Sequence, residues 1–205
     1  MMEWSSKSHI YRLIHKTAII EEGVKIGKGT NVWDNAHIRK NVSIGKNCII
    51  GGKSYIAYDV DIGNQVKINA FVYICAGVTI KDNVMVSAGA IFTNDKFPRA
   101  TIDGKLTTSE PTEDTLETRV EEGVTIGAGA VIGPGVTLGE YCLIGMGSVI
   151  TKSVPAHRLV YGTPARVIGY VCKCGHRLIL KKKSAACECC VKRYFVSDTQ
   201  CFEVK

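Results

Sequence analysis

Between residues 38 and 156 the chain contains no histidine; the five it has are His9, His15, His37, His157 and His176. Over that stretch a metal centre of converging histidines and a local histidine general base are both excluded. No run of eighteen apolar residues occurs, so no membrane-spanning helix is expected. The opening Met1-Met2-Glu3-Trp4-Ser5-Ser6 lacks the apolar core of a signal peptide, which points to the cytoplasm. No helix-turn-helix, aromatic stacking platform or arginine-rich groove pattern is present either. Nucleic acid is therefore not an expected partner, despite a net charge of +7. That excess sits in Lys181-Lys182-Lys183 and Lys192-Arg193, and it suits small phosphorylated ligands as well as polyanions.

What the chain has is a period of six. Every sixth residue from Ile20 to Phe92 is a large apolar one: Ile20, Ile26, Val32, Ile38, Ile44, Ile50 and onward. At 45% hydrophobic composition, thirteen such places in one phase would arise by chance about three times in 100,000. Two places before each stands a small or β-branched residue, such as Ala18, Val24, Thr30, Ala36 and Val42. Six fits neither a 3.6-residue helix nor a hairpin meander. It fits short strands that point two side chains inward before each corner, three strands to a turn: a parallel β-helix. Glycine directly after the aliphatic, at Gly27, Gly45 and Gly63, is expected to serve the bend.

The phase breaks once. After Phe92 comes Thr93-Asn94-Asp95-Lys96-Phe97-Pro98-Arg99 and a polar stretch through Glu117, and the hexads resume at Val120 and run to Ile150. Because 28 positions is not a multiple of six, a loop at about 93–117 is expected to be extruded. Loops of this length are disproportionately functional, though a plain surface insertion is the alternative.

Six of the nine cysteines fall in the last 34 residues. Cys172-Lys173-Cys174-Gly175-His176 and Cys187-Glu188-Cys189-Cys190 resemble the two knuckles of a zinc ribbon. Cys172, Cys174, Cys187 and Cys190 are the favoured ligands of a structural zinc, with His176 or Cys189 as substitutes and Cys201 free; a metal-free knuckle is the alternative. Disulfides suit a reducing compartment poorly. The division expected is 1–170 for the β-helix and 171–205 for the cysteine-rich module. The other cysteines, Cys48, Cys75 and Cys142, fall within the rungs, and Cys48 and Cys142 occupy the small inward place.

The aliphatic-Gly-x-x-small-x hexads over roughly residues 15–170 resemble the hexapeptide repeat of the left-handed β-helix acyltransferases. The resemblance implies the left hand and a homotrimer, which periodicity alone does not. The fold class expected is all-β: a left-handed parallel β-helix with an extruded loop and a small cysteine-rich ribbon.

Ile91 to Arg99 resembles the Phe-Thr-Asn…Pro-Arg loop of bacterial nucleotide-sugar 3-N-acetyltransferases, which acetylate the 3-amino group of UDP- or dTDP-linked sugars. Val160 to Gly169 is similar to the segment closing the coil in coenzyme A-dependent members, and Val32 to His37 also resembles the sugar-acetyltransferase group. The resemblance implies acetyl-CoA as cosubstrate, Asn94 orienting the sugar amine, with a turn residue as the alternative, and Asn69 contacting the sugar from an outward place beneath the loop, with a corner-stabilising asparagine as the alternative. Arg99 would pair with a pyrophosphate or sugar carboxylate; a solvated loop arginine is the alternative. For coenzyme A, Gly127, Ala128, Gly145 and Met146 offer a small profile, and Lys152 and Arg166 offer charge for its phosphates.

An amine acceptor needs positioning more than it needs a strong base. The missing histidines therefore disfavour a histidine-driven O-acetyltransferase and a γ-type carbonic anhydrase. The alternatives are a non-catalytic β-helix scaffold and an O-acetyltransferase on a sugar or small molecule, to which His37 could contribute from a neighbouring chain.

Overall fold

The computed structural model describes residues 13–108, 110–197 and 201–204; Met1–Ser6 and His9 lie outside them. Among the described residues all regular structure is strand, mostly in two-residue pieces. Ile20 pairs in parallel with Ile38, Ile26 with Ile44 and Val32 with Ile50. Each inward aliphatic thus stacks on the one eighteen residues later, and three sheets close around the column as a left-handed parallel β-helix. Ile38, Ile50, Ile56, Ile68 and Ile74 have no exposed surface. Each such side chain is stabilised by about 1.5–3 kcal/mol relative to exposure.

The first face is seven-stranded, from Ile19–Ile20 to Val149–Ile150, and turns Ile19, His37, Tyr55, Tyr73 and Ile91 outward. Ile19, Tyr73 and Ile91 are more than 40% exposed on it, and the Tyr55 and Tyr73 rings stack 5.4 Å apart. The second face, from Lys25–Ile26 to Thr137–Leu138, presents Lys25, Ser43, Asp61, Thr79 and Arg119. The third begins at Asn31–Val32 and runs through Leu143–Ile144 into the hairpin of Arg158–Gly162 and Ala165–Val171.

The corners correct one expectation. Gly27, Gly45 and Gly63 do not have positive φ; the left-handed residue comes two places later, at Gly29, Asn47 and Gln65. A Cβ on Gly27 would lie 2.5 Å from the Gly45 carbonyl carbon, and one on Gly45 would lie 2.5 Å from the Gly63 carbonyl oxygen. Glycine follows the aliphatic because the next coil touches it there, not because the backbone bends.

The loop is extruded as expected. Val78 pairs with Thr118, where unbroken winding would bring residue 96. The loop carries its own hairpin, Thr101–Ile102 against Lys105–Leu106, turned at Asp103-Gly104 with both residues at positive φ.

The expected boundary at 170/171 falls within the strand Ala165–Val171, and Arg177–Leu178 still belongs to the coil's third sheet. A separate antiparallel sheet of Ser184–Ala186, Arg193–Val196 and Cys201–Val204 follows. Buried His157 joins the two parts. Its ring lies between Tyr141 of the coil and Tyr194 of the tail, and its Nδ1 is 2.9 Å from the Val171 carbonyl oxygen. Cys48 and Cys142 are fully buried in the column and Cys75 nearly so. Burial pushes the Cys75 and Cys142 thiols up to about 12, which keeps them protonated and inert.

Candidate active site

The loop leaves from the corner between the first and second faces, directly after Phe92. Phe92 is fully buried and anchors the point of departure. Thr93 Oγ1 donates to the Ile132 carbonyl at 3.1 Å, and Leu116 N–H closes the loop's neck on the Asn94 carbonyl at 3.4 Å. Asn94 is half-buried, and its Nδ2 donates to the Ala76 carbonyl one coil earlier at 3.2 Å. A carbonyl partner fixes the amide's sense, since only the NH₂ end can donate to it. The other end, Oδ1, is an acceptor held in place. Beyond Asn94 the chain is exposed: Phe97 N–H is capped by Asp95 Oδ1 at 2.7 Å, and Arg99 donates only to the Pro98 carbonyl among the described residues, at 2.9 Å.

Lys152 stands at this same corner near the coil's end. The hairpin brings Arg166 to it, and both line a cleft of about 410 Å³ with Ile150, Val154, Ala165 and Val167. The cleft thus carries two exposed cations, with Thr151 and Ser153 beside the apolar side chains of its lining.

Asn69, Gly127, Ala128, Gly145 and Met146 occupy a different corner, between the third and first faces. Asn69 is half-buried there, at a different corner from the one the loop leaves, and the width of the first face lies between it and Asn94. Its neighbours form a low wall: Gly129 and Gly147 have positive φ with open space where a Cβ would stand, and Met146 is 69% exposed. The predicted site residues therefore fall into two groups on opposite edges of one exposed, apolar face.

His37 lies on that face but three strands from Ile91, about 14 Å away. Its Nε2 is 2.8 Å from Glu21 Oε1, which also lies 2.7 Å from Arg39 Nε. Burial works against the Glu21 carboxylate, but hydrogen bonds from His37 and Arg39 outweigh it and hold the group below its usual range. Arg39 also donates to the hydroxyls of Tyr55 and Tyr58. Sequence reasoning missed this cluster, although its members occupy the outward and corner places of consecutive coils. It also missed the Ala76 carbonyl, since a backbone group has no sequence signature.

At the third corner the sulfurs of Cys172, Cys174, Cys187 and Cys190 all lie within 4.8 Å of one another. Cys174, His176 and Cys189 form a second, exposed group sharing one member.

The chain matches the family described as bacterial transferase hexapeptide (six repeats) over residues 23–57, 59–94 and 117–152, more than half its length. Residues 41–76 also match the hexapeptide repeat of succinyl-transferase. It is 46% identical over 81 residues to a dTDP-3-amino-3,6-dideoxy-alpha-D-galactopyranose 3-N-acetyltransferase of Aneurinibacillus thermoaerophilus, covering 40% of this chain and 42% of that protein. It is 37% identical over 79 residues to a galactoside O-acetyltransferase of Lactococcus lactis, covering 34% of this chain and 37% of that protein. The matched segments thus span less than half the length of these curated relatives. In fold it is similar to AntD, an N-acyltransferase from Bacillus cereus solved as a mutant with dTDP and coenzyme A. The TM-score is 0.62 at 24% identity, over 71% of this chain and 83% of that one. The interruption between the second and third matched stretches is the extruded loop, and on the repeats either side of it the chain belongs to the hexapeptide-repeat family of left-handed β-helices.

Proposed function

We propose that the protein is an acetyl-CoA-dependent N-acetyltransferase acting on the 3-amino group of a UDP- or dTDP-linked amino sugar, in surface glycan biosynthesis. The observation that carries this reading is Asn94, held by the Ala76 carbonyl so that its Oδ1 can accept from a substrate amine. The relative named for 3-N-acetylation of a dTDP-amino sugar and the coenzyme A-bound neighbour support it.

Asn94 Oδ1 accepts one N–H and leaves the nitrogen lone pair aimed at the thioester carbonyl. The C–N bond forms, the tetrahedral intermediate collapses with loss of the C–S bond, and the released thiolate takes the ammonium proton. No histidine base is required, and among the described residues of the chain His37 is held by Glu21 three strands from Ile91. Lys152 and Arg166 would take the cosubstrate's phosphates in their cleft.

The division of the site between two edges of one face supports a homotrimer. Three copies packed about the apolar first face would bring the Asn94 edge of one against the Asn69 and Gly127 edge of the next. The working compartment in this reading is the cytoplasm; no helix long and apolar enough to cross a membrane occurs among the described residues. The reading includes a structural zinc ion in the cysteine tail, with no part in the transfer.

The test incubates the protein with acetyl-CoA and a panel of UDP- and dTDP-3-amino sugars and follows thiol release. Turnover with one sugar supports the reading. No release with any of them, together with no rise in melting temperature on adding acetyl-CoA, would return the molecule to a binding scaffold.

A further inference from the structure

We infer that Cys172, Cys174, Cys187 and Cys190 form a tetrathiolate zinc clamp that fastens the C-terminal sheet to the last turns of the coil. The ion is the one named above, but neither its site nor its task depends on acetyl transfer. Zinc–sulfur bonds of about 2.3 Å place tetrahedral sulfurs about 3.8 Å apart. Here Cys172 and Cys190 are 3.4 Å apart, Cys174 and Cys187 are 3.5 Å apart, and every pair is within 4.8 Å. Disulfides need about 2.05 Å, and all nine cysteines are free. Four sulfurs converging on one centre suit an ion better than two covalent pairs.

The ligands come from two sheets. Cys172 and Cys174 follow directly on Ala165–Val171, which is continuous with the coil's third face. Cys187 and Cys190 lie in the turn between Ser184–Ala186 and Arg193–Val196 of the separate sheet. Both arms are tight knuckles: Gly175 N–H donates to the Cys172 carbonyl at 2.8 Å, and Val191 N–H to that of Cys187 at 2.9 Å. The Tyr194 hydroxyl, itself buried, lies 3.1 Å from Cys172 Sγ and supports the sulfur from outside the ligand set. Tetrathiolate zinc carries a formal charge of about −2, and Lys173 and Lys192 stand beside the cluster, both bridged to Glu203.

The module has little else to hold it. Its buried apolar cluster is Cys172, Leu178, Ala185, Cys187, Tyr194, Val196 and Cys201, so three of its seven members are cysteines. Too small a core for independent stability is the usual setting for a structural metal.

The full chain, purified without chelator, is expected to hold about one zinc per chain. Mercurial titration of the thiols should release it, and cobalt replacement should give the intense visible bands of tetrahedral thiolate coordination. Cys187→Ser should lower retained zinc about tenfold or more against a competing chelator, with the β-sheet circular dichroism of the coil unchanged. Cys189→Ser and His176→Ala should retain it. Metal release should open the tail, not the coil, to trypsin at Lys181–Lys183. Metal-free protein after growth in zinc, or zinc retained in full by Cys187→Ser, would overturn the site. Loss in Cys189→Ser and His176→Ala as complete as in Cys187→Ser would overturn the ligand set in favour of the exposed group. A tail that stays resistant to trypsin once the metal is gone would overturn the clamp. Metal content and proteolysis are read without substrate, so failure of the acetyltransferase reading would leave them unaffected.

Discussion

The side chain of Asn94 and the backbone of Ala76 meet across one turn of the coil, the Asn94 NH₂ donating to the Ala76 carbonyl at 3.2 Å. An amide pinned at one end has a defined acceptor at the other. Asn94→Ala should therefore lower kcat by about 10²-fold through lost alignment, with KM for acetyl-CoA little changed. Initial rates at varied acetyl-CoA distinguish this from a binding defect; a parallel rise in KM with kcat intact would refute a positioning role.

Lys152 and Arg166 line one cleft and come from separate elements. The double alanine variant is expected to raise KM for acetyl-CoA by about tenfold, the magnitude of a charge-assisted hydrogen bond. Added salt should shrink the gap between variant and parent. A salt-independent difference would point to lost packing of the cleft instead.

Tyr73 and Ile91 sit centrally on the exposed first face. Placing a carboxylate at both, Tyr73→Asp with Ile91→Asp, should reduce the proposed trimer to monomers in sedimentation, since buried unpaired charge is costly. Activity should fall with it while the coil stays folded. An unchanged sedimentation coefficient would remove this face from the assembly.

His157 sets a pH dependence for docking of the tail. Burial lowers its pKa below 6.5, Lys173 adds to the shift, and the Val171 carbonyl, Glu140 and Glu203 oppose it. A depressed histidine stabilises the fold above its unfolded value, and that contribution is lost as pH falls below 6.5 through the folded one. Tail protection in hydrogen exchange should thus drop on acidification from about pH 7.5 to about pH 5.5. His157→Phe, which keeps a ring between Tyr141 and Tyr194, should remove this component; an unchanged pH profile in that variant would assign the loss to other groups.

The coil was legible in the sequence because a single geometric demand repeats. Ile20, Ile26 and Val32 occupy equivalent inward places, so each hexad tests the same reading. The loop was legible as a break in phase, and the four cysteines as two knuckles. The placement of Asn69 was missed on residue pattern alone. Its position after inward Ile68 says only that it stands at a corner; that this is not the loop's corner follows from counting, since the 24 residues from Ile68 to Phe92 are one and a third turns of eighteen. Gly27 and Gly45 show the same limit: the residue type was informative, yet its reason lay eighteen residues away in the adjoining coil. Arg39, Tyr55 and Tyr58 were invisible as a cluster for the same cause.

The direction of the last hairpin has a consequence for assembly. Coil strands add in parallel, each presenting unpaired backbone groups on which another could template. Arg158–Gly162 continues in that sense beside Leu143–Ile144, but Ala165–Val171 runs back antiparallel beside it. Arg177–Leu178 then pairs antiparallel on the far side of Ala165–Val171, so on this face the last coil strand is covered by two further strands of the same chain rather than left open to another molecule.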